Sequence, residues 1–200
     1  MKFSLSQVTT LSIFFISILL MTACGDQAHP LFQSLNISAN KAFTSKFSLL
    51  DSLDKPITLA AYKGRVVAIF FGYIHCPDVC PTTLAEMNQV IHKLGDDAKK
   101  IQVIFVTVDP ERDTPELLSE YVHAFNPDFL GLRAIDEVAF EKMKRDFRVV
   151  VEKVEGKTPD SYTIDHTAGI YVFDQKGQLR ILMRPDQTVD QMVEDLKKLL

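Results

Sequence analysis

Eight successive positions, Val66 to Tyr73 (Val-Val-Ala-Ile-Phe-Phe-Gly-Tyr), carry no charged residue, and the apolar run ends abruptly before two cysteines. The run is short, β-branched and aromatic, and a Lys63-Gly64 turn precedes it, so it predicts a buried central strand. Ile101 to Val108 predicts a second buried strand. Between them Leu84, Met87, Val90, Ile91 and Leu94 recur at helical spacing, with Gly95 as the stop. Asp109-Pro110-Glu111-Arg112-Asp113-Thr114-Pro115-Glu116 leads into a helix through about Phe125, with Thr114 as N-cap and Pro115 at the first helical position. Ile135 to about Phe147 predicts another helix and Val149 to Val151 a short strand. Glu152 to Tyr162 is polar, contains Gly156 and Pro159, and reads as an exposed loop. Gly169 to Phe173, the turn Asp174 to Gly177, and Leu179 to Met183 form a hairpin. Val189, Met192, Val193, Leu196, Leu199 and Leu200 then place one apolar face on a closing helix.

Upstream, Phe47 to Leu50 and Ile57 to Leu59 flank Asp51-Ser52-Leu53-Asp54-Lys55-Pro56, an N-terminal hairpin by its turn chemistry. Strands that alternate with helices and end in a hairpin plus helix indicate an α/β sandwich, a central mixed β-sheet flanked by helices. Cysteines at the first strand-to-helix junction make the expected arrangement thioredoxin-like. No internal repeat is visible.

The N-terminus reads differently. Lys2 precedes the apolar segment Leu11 to Met21, and Thr22-Ala23-Cys24-Gly25 follows, which fits a secretory signal. Its eleven residues are short for a spanning helix, which needs about 20. Thr-Ala-Cys resembles the bacterial lipobox, although Met21 stands where leucine is usual. That resemblance implies cleavage before Cys24 and lipid on Cys24, with an uncleaved membrane anchor as the alternative. Either places the domain outside the cytoplasmic membrane, on the periplasmic side of a bacterial envelope. The expected organisation is a signal at 1–23, a Ser-, Asn- and Pro-containing tether at 24–46 and one domain at 47–200.

The chain has 200 residues, enough for a single domain with a substantial core. A net charge of −4 without a basic cluster argues against a nucleic-acid partner. Of three cysteines, Cys24, Cys76 and Cys80, one belongs to the N-terminal signal and two form a close pair. Four-residue spacing sets the α-carbons of Cys76 and Cys80 about 6 Å apart on one face of the incipient helix, so the sulfurs can bridge or share a metal. A helix N-terminus favours the thiolate, which is both nucleophile and metal ligand. A purely stabilising disulfide is the weaker reading, because so short a loop removes little entropy from the unfolded chain.

Three separated segments carry a resemblance: Phe71-Gly72-Tyr73 with Cys76-Pro77-Asp78-Val79-Cys80-Pro81-Thr82, then Val106-Thr107-Val108-Asp109-Pro110-Glu111-Arg112-Asp113-Thr114-Pro115, then Asp165-His166-Thr167 before a strand. Together they closely resemble the Sco/SenC family over roughly Phe47 to the C-terminus, with Ile74 in place of the usual threonine. The resemblance implies that Cys76, Cys80 and His166 are copper ligands. It further implies a metallochaperone for the copper centre of a haem-copper cytochrome oxidase, with the copper-centre subunit or other copper chaperones as partners and a lipid anchor holding the protein to the membrane. Two soft thiolates and an imidazole agree with Cu(I), and Cu(II) stands above Zn(II) in the divalent affinity order, so either copper state fits. Where thioredoxins present a cis-proline to their cysteines, this chain has Asp165-His166-Thr167-Ala168, which favours metal over pure redox work. The alternative is a thiol-disulfide oxidoreductase of the envelope in which Cys76 attacks and Cys80 resolves. Asp78 either shapes the turn or offers a weak oxygen contact, and Asp109 either fixes the site by hydrogen bonding or forms a turn before Pro110. His75 reads as a bystander, and His29, His92 and His123 as solvated positions.

Overall fold

A computed structural model describes residues 31–38, 48–158 and 161–200. The two apolar runs become β4 (Val66–Gly72) and β5 (Ile101–Thr107), with every residue of both buried. They pair in parallel, from Val66 opposite Ile101 to Gly72 opposite Thr107. Parallel pairing requires a crossover, supplied by α1 (Val79–Leu94). After β5 come α2 (Pro115–Phe125), β6 (Leu130–Leu132), α3 (Glu137–Phe147), β7 (Val151–Glu155), β8 (Tyr162–His166), β9 (Ile170–Phe173), β10 (Leu179–Met183) and α4 (Val189–Lys197). Before β4 lie β1 (Leu35–Asn36), β2 (Ser48–Leu50) and β3 (Pro56–Thr58).

The main sheet runs β1-β10-β9-β4-β5-β6. Pairing is parallel on the β4-β5-β6 side and antiparallel through β9, β10 and β1, which makes the sheet mixed as expected. Alternate residues of a strand point to opposite faces, and the aromatic contacts assign them. Phe71 meets Phe147 of α3 at 5.1 Å between ring centroids. Its neighbour Phe70 meets Phe105, which packs against Tyr121 of α2. Helices therefore cover both faces, as a sandwich requires. Thr114 caps α2, accepting from Leu117 N, and Pro115 opens the helix. The β2–β3 hairpin forms where the turn chemistry placed it, with Asp51 Oδ1 accepting from Leu53 N and Lys55 N.

Two expectations are corrected. The stretch read as tether is partly built into the fold, and the compact unit begins at Phe32. Leu35 and Asn36 pair with β10, and the buried carboxylate of Asp195 on α4 accepts from Gln33 N at 2.9 Å and Ser34 N at 2.7 Å. These backbone donors are satisfied from the far end of the chain, which no local pattern reveals. Second, the polar segment 152–162 is not a loop throughout: Glu152 to Glu155 and Tyr162 are strand, and only 156–161 connect them. β7 and β8 pair antiparallel over Val151–Glu155 and Tyr162–His166, forming a two-stranded ribbon closed by Gly156 N donating to Ser161 O. The signal segment and Cys24 lie outside the described residues. Among the described residues no helix is long and apolar enough to cross a membrane.

Candidate metal centre

β4 ends at Gly72, and the chain turns through Tyr73 to Asp78 before α1 begins. Buried Asp113 pins this turn from the β5–α2 connection: its Oδ2 accepts from Ile74 N at 3.1 Å and from Thr107 Oγ1 at 2.6 Å. Cys76 lies on the turn and Cys80 in the first turn of α1, with Cys80 N donating to Cys76 Sγ at 3.4 Å. Cys80 is fully buried, and its sulfur lies against Gly72, where an added Cβ would sit 2.9 Å from Sγ. Cys76 is half-buried and opens into a groove of about 370 Å³ lined by Tyr73, Pro77, Asp78 and the β8 residues Thr163 to His166.

His166 arrives at the end of β8. Its Nδ1 lies 3.1 Å from Thr167 O, an arrangement in which Nδ1–H donates and the Nε2 lone pair is left free. Nε2 is 3.6 Å from Cys80 Sγ. The ring stands edge-on to Phe70 and Tyr73, with centroids at 6.2 and 6.0 Å. Ligand atoms of Cys76, Cys80 and His166 all lie within 4.8 Å of one another, the one such cluster among the described residues. A trigonal site with bonds of about 2.0–2.3 Å, as for zinc–sulfur and zinc–nitrogen, needs ligand atoms about 3.7 Å apart. The observed cluster therefore closes on a metal with a contraction of about 1 Å, well inside side-chain freedom.

The electrostatics correct one expectation and support another. Burial, followed by the hydrogen bond with Cys76, pushes the Cys80 thiol far above its ordinary range, so the helix N-terminus does not make Cys80 a thiolate by itself. Desolvation favours the neutral thiol here, and a cation beside the sulfur would favour the thiolate. Burial also holds His166 below the usual imidazole value, keeping it neutral with a lone pair to offer. Both cysteines are free thiols.

The other positions sort clearly. Asp78 occupies the N-cap position of α1, makes no side-chain capping bond and stays outside the ligand cluster, which leaves it to the turn. Asp109 is 1% exposed; its Oδ1 accepts from Tyr162 Oη at 2.7 Å and its Oδ2 pairs with Arg112, while its backbone oxygen accepts from Arg112 N and Asp113 N. It thus serves both the turn and the strand that carries His166. His75 is exposed, with Nδ1 3.9 Å from Asp113 Oδ1 and outside the cluster. His92 and His123 are exposed, and His29 lies outside the described residues. Sequence reasoning missed Arg112, Asp113 and Tyr162. The first two sit inside the central motif, and Tyr162, Ile164 and His166 share a period of two that marks one face of a strand.

Comparison with known proteins agrees with this geometry. The SCO1/SenC family profile matches residues 36–200. "Protein SCO2 homolog, mitochondrial" of Mus musculus is 34% identical over 155 residues, 76% of this chain and 60% of that protein, so the chain spans less than two thirds of that relative. A SCO2-like protein of Rickettsia felis is 32% identical over 170 residues, 84% of this chain and 82% of that one. Among solved structures, ScoI of Bradyrhizobium japonicum with copper bound superposes with a TM-score of 0.72 at 42% identity, covering 80% of this chain and all of that one. Apo Sco1 of Thermus thermophilus gives a TM-score of 0.74 at 37% identity, covering 86% of this chain and 99% of that one. With the profile spanning the folded unit and the fold reproduced, the chain belongs to the SCO1/SenC family.

Proposed function

We propose that this protein is a copper metallochaperone that takes up copper at Cys76, Cys80 and His166 and passes it towards the copper centre of a haem-copper cytochrome oxidase. One observation carries the reading: two sulfurs and a neutral imidazole, brought from positions 86 residues apart, converge within 4.8 Å. Two soft sulfurs with one imidazole suit Cu(I), and copper also stands above zinc in the divalent affinity order. Loading displaces the Cys80 proton, so uptake releases protons. Copper is described in the similar ScoI of Bradyrhizobium japonicum. In this reading Cys24 carries lipid that holds the domain at the periplasmic face of the membrane, and the partners are copper donors and the copper-centre subunit.

Reduced protein is expected to bind one Cu(I) per chain against a competing chelator, and Cys76→Ser, Cys80→Ser and His166→Ala each to weaken uptake. Failure of the reduced protein to take up Cu(I), or variants that bind as the parent does, would overturn the reading.

The contact from Cys80 N to Cys76 Sγ supports a second activity, since it holds the more exposed sulfur, which opens to the groove, beside the second one. Cys76 then attacks a partner disulfide and Cys80 resolves the mixed disulfide, the dithiol giving up two electrons and two protons as the partner gains them. Disulfide reduction that survives His166→Ala separates this role from copper ligation.

A further inference from the structure

His166 is not held by its own loop. The β7–β8 ribbon that carries it forms a sheet of its own, separate from the main sheet. Ile164 of β8 anchors the ribbon in the core, and the connection after β5 clasps it from outside. The Arg112 guanidinium carbon lies 3.5 Å from the ring centroid of Tyr162 and 5.8 Å from that of Tyr73. Arg112 Nη1 donates to Tyr162 O at 3.1 Å, and its Nε pairs with Asp109 Oδ2. The other oxygen of the same carboxylate, Oδ1, accepts from Tyr162 Oη at 2.7 Å. One ion pair therefore grips Tyr162 at its ring face, its hydroxyl and its backbone. Two further bonds follow the same line: Ile164 N donates to Tyr73 Oη at 3.1 Å, and Lys153 on β7 pairs with Glu111 at 2.7 Å.

Tyr162, Ile164 and His166 point to one side of β8, so the grip on the first sets the height and tilt of the third. A planar guanidinium stacked on an aromatic ring, with Nε on a carboxylate and Nη1 on a backbone carbonyl, fixes orientation as well as distance, which an ammonium does not. We propose that Arg112 is a positioning residue for the metal centre: through Tyr162 it holds the ribbon in the register that brings His166 Nε2 over the sulfurs. The proposal rests on the copper reading for its consequence, though the clasp itself belongs to the metal-free protein.

The test is a double-mutant cycle of Arg112→Gln and His166→Ala, with two readouts. In metal-free protein, Arg112→Gln is expected to speed hydrogen exchange of β7 and β8 amides about tenfold or more while β4 and β5 keep their protection. In Cu(I) competition it is expected to weaken binding by about 10- to 100-fold when His166 is present and hardly at all in the His166→Ala background. Equal weakening in both backgrounds, or ribbon amides that exchange as in the parent, would overturn the proposal. If Arg112→Gln does not fold, Tyr162→Leu removes the clasped ring and leaves the ion pair in place, and the same two results are required of it. Should the parent protein take up no Cu(I), the copper reading fails, and the exchange experiment alone still decides whether Arg112 holds the ribbon.

Discussion

Gly72→Ala tests whether the sulfur pocket is set by backbone geometry. Gly72 is buried at the end of β4 and lacks the positive φ that glycine alone tolerates easily, so space rather than conformation selects it. A Cβ there would lie 2.7 Å from Phe105 Cε2 and 2.9 Å from Cys80 Sγ. Carbon contacts relax near about 3.5–4.0 Å, so the neighbours must retreat by about 0.8 Å or more. The backbone cannot yield in their place, because Gly72 pairs with Thr107 and its carbonyl accepts from Val108 N at 2.8 Å. Overpacking of this kind costs about 1–3 kcal/mol of stability. If the sulfur takes up the displacement, Cu(I) affinity falls about tenfold for each 1.4 kcal/mol of lost ligand alignment. Gly131→Ala is the control: its Cβ would meet Leu118 Cγ at 2.7 Å, on β6, with β5 between it and β4. Urea unfolding of the metal-free proteins should show comparable losses for the two variants, and chelator competition should show weakened Cu(I) binding for Gly72→Ala alone. Parental affinity in Gly72→Ala, at reduced stability, would refute the reasoning.

Asp113→Ala removes the acceptor for Ile74 N and Thr107 Oγ1, leaving buried donors unpaired; a loss of about 2–4 kcal/mol is expected in urea unfolding, and a loss under about 0.5 kcal/mol would contradict the pinning role. Asp195 gives a pH dependence: burial alone would raise its carboxyl, but donation from Ser34 and Gln33, with Lys198 alongside, outweighs it and holds the group below the usual range. Its stabilisation is therefore complete above the unfolded value of about 3.9 and lost as pH falls through the lower folded value. The stability gap between the parent and Asp195→Asn should be widest at neutral pH and shrink below about pH 4, whereas a gap independent of pH would contradict the assignment. His75→Ala is expected to leave Cu(I) affinity within about twofold, because the ring lies outside the ligand cluster; a larger loss would make it a ligand.

The parts of the fold legible in the sequence are those whose cause is local. β4 and β5 are buried along their whole length and announce themselves as apolar runs, and Thr114-Pro115 marks the start of α2 by cap chemistry. The ribbon was hidden because β7 is exposed at nearly every position, so half of the pair carries no alternation at all. β1 was hidden because two residues make no pattern and their partners lie about 145 positions away. At the candidate metal centre the three side chains that converge, Cys76, Cys80 and His166, were legible through the three motifs. The charge state of Cys80 was not, since helix position argues for a thiolate and only the packed surroundings reveal the desolvation that favours the thiol.

The unequal exposure of the two sulfurs also governs traffic. Cys80 is sealed, and the groove beside Cys76 is the opening that leads to the cluster. Cys76 and His166 both line that groove, so on the proposed function an incoming ligand from another protein would reach either of them before the buried Cys80. A donor and an acceptor that both used this groove would share one doorway, and neither could be seated while the other is. On the proposed function, copper transfer through this protein would be a shuttle of two successive encounters, and raising the concentration of either partner alone should eventually slow it.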